Sequence, residues 1–469
     1  MASVEKSRSG WTLAAVALAL FCVQIDYFAM NLAVPRMAVE FGSTTTDLQW
    51  VVSVYMLALG SFMVPAGRIG DILGRRRTLL AGVALFGVAS AACAIAPSLG
   101  VLIAFRVAQG LGAALIFPVS VSVLTNAYGA ARAGRSIGLA YGIAALGNAA
   151  GPLVGGLFTD TIGWRWIFWL NVPLTVASLA IGARVVRESF DESAPRRIDT
   201  AGLALISIGI GLFTLTFDRA PGWGWLSVST LVAFTGSLVA LAAFVIVENR
   251  VRWPLVDLSL IRNAKFTILV VAGAVANIAY AVTIFLSTMF LQEVRGLDPL
   301  TAGLAFLGPS AGAAIGGVVA GRLGTRRSPA LVMGSTTVVA ALSLGTVAVS
   351  PDWVLYLVAL SACGLTLGLV YAFTTVATQA VVRPERAGEA AGVTLTVLVS
   401  LAGVGVAVSS TVLEMLQRNG ITAADAIDGI LAVLAMVLLA AGAVVLWTAR
   451  RMATRPVPSC PSVSPRPAG

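Results

Sequence analysis

Long apolar runs fill the chain almost from end to end, and polar residues are confined to short stretches between them. At about twenty apolar residues per membrane span, the runs predict helices at 11–34, 47–66, 78–96, 100–125, 136–158, 166–186, 200–217, 227–248, 265–291, 301–320, 330–349, 354–377, 388–412 and 427–448, fourteen in all. The pattern predicts an all-α membrane protein, because a soluble chain of this length would divide into domains with separate cores and no segment here fits one. The first run is too long for a signal-peptide core, contains Asp26 and is not closed by a small-residue cleavage site, so it reads as a retained first helix.

Composition agrees. Of 469 residues, 58% are hydrophobic and only 11% charged, with a mean hydropathy of +0.92, whereas about a quarter of a soluble domain is charged. The net charge of +10 would suggest nucleic acid in a soluble protein, but membrane loops obey the positive-inside rule. With the N-terminus inside, 25 of the 31 basic residues fall in cytoplasmic segments, five (Arg36, Arg165, Arg219, Arg295, Arg418) fall in outside loops, and Arg106 lies within a span. The basic excess is therefore a topology signal: it argues against nucleic-acid binding and places both termini of a multi-pass cytoplasmic-membrane protein in the cytoplasm.

Three features of residue usage exclude chemistries. Cys22, Cys93 and Cys363 lie in spans and Cys460 in the tail, a spacing that argues against disulfides and against a thiol-based metal site. There is no histidine, so any transported proton must ride on a carboxylate. The only lysines are Lys6 and Lys265, and neither ends a phosphate-binding G-x-x-x-x-G-K-[ST] loop. No metal or other cofactor is expected, and no catalytic cluster marks an enzyme.

The chain also echoes itself. Gly67-Arg68-Ile69-Gly70 after the second span resembles Gly321-Arg322-Leu323-Gly324 after the tenth, and clustered arginines follow both. If spans 9 to 14 repeat spans 1 to 6, spans 7 and 8 are an inserted pair. The expected units are an N-terminal six-helix bundle (1–186), a link with the inserted pair (187–264), a C-terminal six-helix bundle (265–449) and a tail (450–469). Within the link, 187–199 reads as a solvated cytoplasmic loop, and the Pro- and Ser-rich tail reads as disordered.

Four segments carry candidate chemistry. In Gly67-Arg68-Ile69-Gly70-Asp71-Ile72-Leu73-Gly74-Arg75-Arg76-Arg77, Gly67, Gly70 and Gly74 permit a tight turn and close approach, and Asp71 is placed to accept from a helix N-terminus or an arginine. A topological marker explains the arginines, Arg75 and Arg76 among them, but not Asp71 between glycines. In the fourth span, Arg106 precedes Gln109-Gly110; an intramembrane charge needs a cavity or a partner, and snorkelling is the alternative. The fifth span carries Gly147, Gly151, Pro152, Gly155 and Gly156, a small-residue face for close helix packing. The first span carries Asp26, read as the only carboxylate well inside a span in either half, in Asp26-Tyr27-Phe28-Ala29-Met30-Asn31.

These segments resemble, in order, motifs of the major facilitator superfamily. The loop after span 2 is similar to motif A, G-x-L-x-D-R-x-G-R-K/R, with Ile72 in place of the arginine after the aspartate. Arg106 to Gly110 resembles motif B, R-x-x-Q-G, and Gly151-Pro152-Leu153-Val154-Gly155-Gly156 resembles motif C of the antiporter branch. The segment around Asp26 is similar to the L-D-x-T-x-V-N-V-A-L-P element of the fourteen-helix drug:proton antiporters, with Ile25 for leucine and Phe28 for threonine. Trp164-Arg165-Trp166-Ile167-Phe168, followed by Asn171 and Pro173, is a further family-like segment, although Trp164 and Trp166 also read as an aromatic belt at the outer surface.

The resemblance implies the major facilitator fold, two six-helix bundles plus two inserted helices, acting as a monomer. It implies a proton-coupled antiporter that exports small amphipathic drugs, antibiotics or metabolites, with the proton as coupling ion and the lipid bilayer as its surroundings. Asp26 and Arg106 are the expected proton-coupling pair, the span 2 loop the gate, and Asn31, Gln109 and Asn148 possible linings of the substrate cavity. The alternatives are an uptake carrier for a small metabolite, against which motif C argues, and a membrane-embedded enzyme.

Overall fold

A backbone out of contact with water must satisfy its own polar groups, and helices do so within a single segment. The computed structural model describes residues 2–191, 199–251, 254–256, 259–323, 328–350 and 352–453. Their regular structure is helical throughout: α1 (Ala2–Phe41), α2 (Thr45–Leu73), α3 (Arg75–Ala94), α4 (Leu99–Tyr128), α5 (Ala130–Thr161), α6 (Arg165–Val185), α7 (Thr200–Trp223), α8 (Val228–Glu248), α9 (Ser259–Arg262), α10 (Ala264–Met289), α11 (Pro299–Ala305), α12 (Leu307–Leu323), α13 (Pro329–Val349), α14 (Trp353–Ala380), α15 (Ala387–Arg418) and α16 (Ala423–Ala453). Among the described residues, fourteen stretches are long and apolar enough to cross a membrane, with α11 and α12 together forming the tenth. The expected tail beyond 453 lies outside the described residues.

Two helices run past the ends that hydropathy set at 66 and 217. A helix stops where the backbone must turn rather than where its side chains become polar, and α2 and α7 stop at Gly74 and Gly224, with φ of 118° and 90°. Consequently Gly67 and Gly70 are helical residues of α2 and not parts of a turn, and Asp218 falls within α7.

The helices form two bundles with matching partners. In the first, α1 packs on α5 and α6, α2 on α4, and α3 on α4 and α6. In the second, α10 packs on α15, α12 on α14, and α13 on α14 and α16, the pairing expected if one half repeats the other. Across the interface α2 meets α15 and α5 meets α12. These approaches need glycine: a Cβ on Gly67 would lie 2.2 Å from the Gly388 carbonyl oxygen, and one on Gly138 would lie 2.4 Å from that of Gly317. Both sit toward the arginine-rich end of the molecule.

The inserted helices α7 and α8 pack on each other, and α7 also lies along both α2 and α15. They are peripheral: 22% and 28% of their most apolar windows are buried, against 67% for α2.

Candidate functional site

A buried guanidinium needs both a counter-charge and acceptors for its five N–H groups. Arg106 of α4 and Asp26 of α1 are fully buried, and Arg106 Nη1 donates to Asp26 Oδ2 at 2.5 Å and to Gln109 Oε1 at 2.8 Å. Arg106 Nε donates to the Val51 carbonyl oxygen of α2 at 2.9 Å, and the guanidinium lies 4.2 Å from the centroid of the Tyr55 ring. Asp26 Oδ1 accepts from Gln109 Nε2 at 3.0 Å and from Asn171 Nδ2 of α6 at 2.8 Å. Ser90 of α3 receives both amides, Gln109 at 3.3 Å and Asn171 at 3.0 Å, and passes its own proton to the Phe168 carbonyl oxygen at 3.0 Å. One charge pair is thus tied to five helices of the N-terminal bundle. Arg106 Nη2 has no hydrogen-bond partner among the described residues.

Gln109, expected to line a cavity, is part of this network and has no exposed surface. The reason is register: three residues after Arg106 on one helix, it shares that residue's face. Ser90 was not anticipated, and Asn171 had been quoted without a role. The side chain of Asn31 lies outside the described residues. Asn148 of α5 is half-buried and hydrogen-bonded to Tyr280 of α10, so it sits between the two bundles.

The glycine face of α5 explains how α1 is held. A Cβ on Gly147 would lie 2.8 Å from the Phe21 carbonyl oxygen, one on Gly151 would lie 2.5 Å from Phe28 Cβ, and one on Gly155 would lie 2.3 Å from the Ala29 carbonyl oxygen. Backbone therefore rests on backbone on either side of Asp26. Pro152 and Gly156 occupy half-buried positions of the same helix, which continues unbroken through the proline.

The second constellation lies where α2 ends. Asp71, fully buried, accepts from Arg75 Nε at 2.8 Å on Oδ1 and from the Glu389 backbone N–H, in the first turn of α15, at 3.0 Å on Oδ2. Arg75 also reaches the opposite bundle, donating from Nη2 to the Glu385 carbonyl oxygen at 2.7 Å. Arg76 donates to the Ala183 carbonyl oxygen at 2.7 Å, and Arg77 is exposed. Of the link after α6, expected as a solvated loop across 187–199, residues 187–191 and 199 are described. Its start docks on this turn, with the Glu188 carboxylate accepting from the Arg76 and Arg77 N–H groups at 3.0 and 3.3 Å and Asp191 N–H donating to the Asp71 carbonyl oxygen at 2.7 Å. Residues 192–198 lie outside the described residues. Gly388 and Glu389 are the partners that sequence reasoning missed.

The expected aromatic belt is half present. Trp166 is exposed, but Trp164 is buried and donates from Nε1 to Glu40 Oε2 at 2.7 Å, beside an Arg165–Glu40 ion pair.

Two helical bundles, a buried charge pair in one and a charge-locked turn bridging both define a polytopic membrane transporter. The profile of the Major Facilitator Superfamily matches residues 16–407 and again 269–459, and the chain belongs to that family. It is 35% identical over 387 residues to the multidrug resistance protein Stp of Mycobacterium tuberculosis, covering 81% of this chain and 72% of that protein. It is 29% identical over 412 residues to the methylenomycin A resistance protein of Streptomyces coelicolor, covering 86% of each. Among solved structures, the human organic anion transporter MFSD10 is similar in fold, with a TM-score of 0.64 at 14% identity over 92% of this chain and 99% of that one.

Proposed function

We propose that this protein exports small amphipathic drugs, antibiotics or metabolites from the cell in exchange for protons. The drug-resistance names of its relatives support the export of such molecules. The observation that carries proton coupling is the Asp26–Arg106 pair, a carboxylate and a guanidinium buried together in the bilayer-spanning core. A carboxylate there is an expensive group to keep, and one that can exchange a counter-charge for a proton is a coupling site. In this reading Asp26 binds the proton when rearrangement draws Arg106 away, and substrate binding favours the deprotonated state. The Asp71 turn, locked to α15 in this conformation, is released when the arginine-rich end, taken as cytoplasmic, opens.

The test uses vesicles under an imposed pH gradient and a panel of fluorescent amphipathic dyes and antibiotics. The parent protein is expected to concentrate at least one of them. Asp26→Asn is expected to lose concentrative transport while keeping exchange down a substrate gradient, and Asp26→Glu to retain coupling. Concentrative transport by Asp26→Asn at equal protein level would remove Asp26 from the coupling role.

A further inference from the structure

Near the middle of their spans, helices of both bundles bring aromatic side chains into one layer. Tyr141 of α5 lies between Phe117 of α4, at a ring-centroid distance of 6.4 Å, and Tyr371 of α14, at 6.0 Å. Tyr280 of α10 interacts with Tyr371 and is hydrogen-bonded to Asn148 of α5. The layer thus joins two helices of each bundle. Tyr280, Tyr371 and Asn148 are half-buried, so accessible space remains beside them. Two polar atoms of the layer are left over: the Tyr141 hydroxyl and Asn148 Oδ1 are buried and have no hydrogen-bond partner among the described residues. Tyr141 as a whole is 5% exposed. Burying such groups unpaired is costly, and phenylalanine and leucine would have filled the same places without that cost.

Spacing and charge narrow what would pair with them. Tyr141 and Asn148 are two helical turns apart, so they stand on one face of α5, separated by about 10 Å along its axis. Charge is missing from the helices that build the layer: 107–128, 136–159, 266–292 and 353–380 contain no acidic or basic residue. Asp26 and Arg106, in the core of the N-terminal bundle, already neutralise each other. A charged guest would give up its water here without gaining a counter-charge, whereas a flat ring system stacks on aromatic faces. We propose, building on the reading of this protein as an exporter, that this layer binds uncharged planar aromatic compounds with a hydrogen-bonding group at each end. Asn148 Oδ1 accepts from a hydroxyl or N–H at one end, the Tyr141 hydroxyl pairs with a carbonyl or hydroxyl at the other, and Tyr371 lies against the flat body between them.

The test measures binding to the full-length protein in detergent micelles by equilibrium dialysis, with empty micelles as the blank. The probe is a dihydroxystilbene with one hydroxyl at the far end of each ring, planar and uncharged at neutral pH, and ethidium is its planar but cationic counterpart. The parent is expected to bind the diol about tenfold or more tighter than ethidium, because the cation finds no counter-charge. Tyr141→Phe and Asn148→Leu are each expected to weaken diol binding about fivefold, the equivalent of one neutral hydrogen bond. Tyr356→Phe, the same chemical change on a ring stacked with Phe290 and Trp353 in the C-terminal bundle, is expected to leave it unchanged. Diol binding no greater than the blank, equal binding of ethidium, or parent-like diol binding by both Tyr141→Phe and Asn148→Leu would each overturn the proposal. No gradient is applied, so the result is independent of the coupling test. A diol bound as expected but not concentrated by vesicles would support the site and fault the export reading, while vesicles that concentrate ethidium and not the diol would keep export and overturn the substrate class.

Discussion

Replacing Asp26 by Asn changes one atom and leaves no good arrangement in the network. The two carboxylate oxygens both accept, Oδ2 from Arg106 and Oδ1 from Gln109 and Asn171. An amide has one acceptor: if its oxygen faces Arg106, its NH₂ meets two amide donors, and if it is flipped, its NH₂ meets the guanidinium. The substitution therefore leaves a buried cation unpaired, a loss of about 3–5 kcal/mol, and sets donor against donor in either orientation. Removing the cation as well should relieve most of this, so Asp26→Asn with Arg106→Gln is expected to be about 2 kcal/mol or more stabler than Asp26→Asn alone. The assay is unfolding by added sodium dodecyl sulfate in mixed micelles, followed by tryptophan fluorescence, for the parent, both single variants and the double variant. If Asp26→Asn unfolds within about 1 kcal/mol of the parent, or if the single effects simply add, the pair is not the electrostatic keystone that its burial indicates.

Two further outcomes follow from the geometry. In Gly67→Ala the new methyl would start 2.2 Å from the Gly388 carbonyl oxygen, where ordinary contact begins at 3.4 Å, so α2 and α15 must separate and the 3.0 Å bond from Glu389 to Asp71 must break. Spin labels on the two helices are expected to move apart, at a cost of about 1–3 kcal/mol to the closed arrangement; an unchanged distance would refute the close approach, and Gly10→Ala, with nothing within 4 Å, is the control. At the other end, burial raises the Glu40 carboxyl, but hydrogen bonds from Trp164 and Arg165 and the charge of Arg165 outweigh it and hold the group below the usual glutamate range. A depressed folded value means that the stabilisation is complete above the unfolded glutamate value of about 4.3 and fades as pH falls through the folded one. The carboxylate is 44% exposed, so Glu40→Gln should lose less than about 1 kcal/mol at pH 7. The variant and parent should converge in melting temperature below about pH 4; a difference that grows in acid would contradict this.

The fourteen spans were legible because the bilayer imposes one requirement on every stretch that crosses it, and hydropathy reports that requirement directly. The Asp26–Arg106 pair was legible for a related reason: a lone charge in an apolar run must find a partner, and candidates were few. Ser90 and Asn171 were not, because short polar side chains cost little in a span and nothing in the chain sets the register of α3 and α6 against α1. The partner of Asp71 is 318 residues away, at the first turn of a helix whose own pattern is unremarkable. The place of Gln109 in the network was carried by its position, since a residue three after a buried arginine on one helix shares its face.

Repeat counting set α7 and α8 apart from the two bundles, but it left open where an extra pair would settle. Side-chain chemistry supplies a reason for the place it takes. Arg219 and Asp218 stand near one end of a helix that is otherwise apolar, and charges at that depth need partners that lipid cannot provide. On α2 they find the Trp50 ring, 3.6 Å from the Arg219 guanidinium, and the Ser53 hydroxyl, which hydrogen-bonds Asp218. Just beyond, Trp225 Nε1 donates to Thr411 Oγ1 of α15 at 3.0 Å, and toward the other end Ile206 and Phe244 bury against Val64 of α2, with Val393 of α15 packed on the same cluster. Each attachment has its partner on α2 or α15, the two helices that meet on this side of the seam between the bundles. A pair with these residues cannot satisfy them on either bundle alone, and so it lies across both.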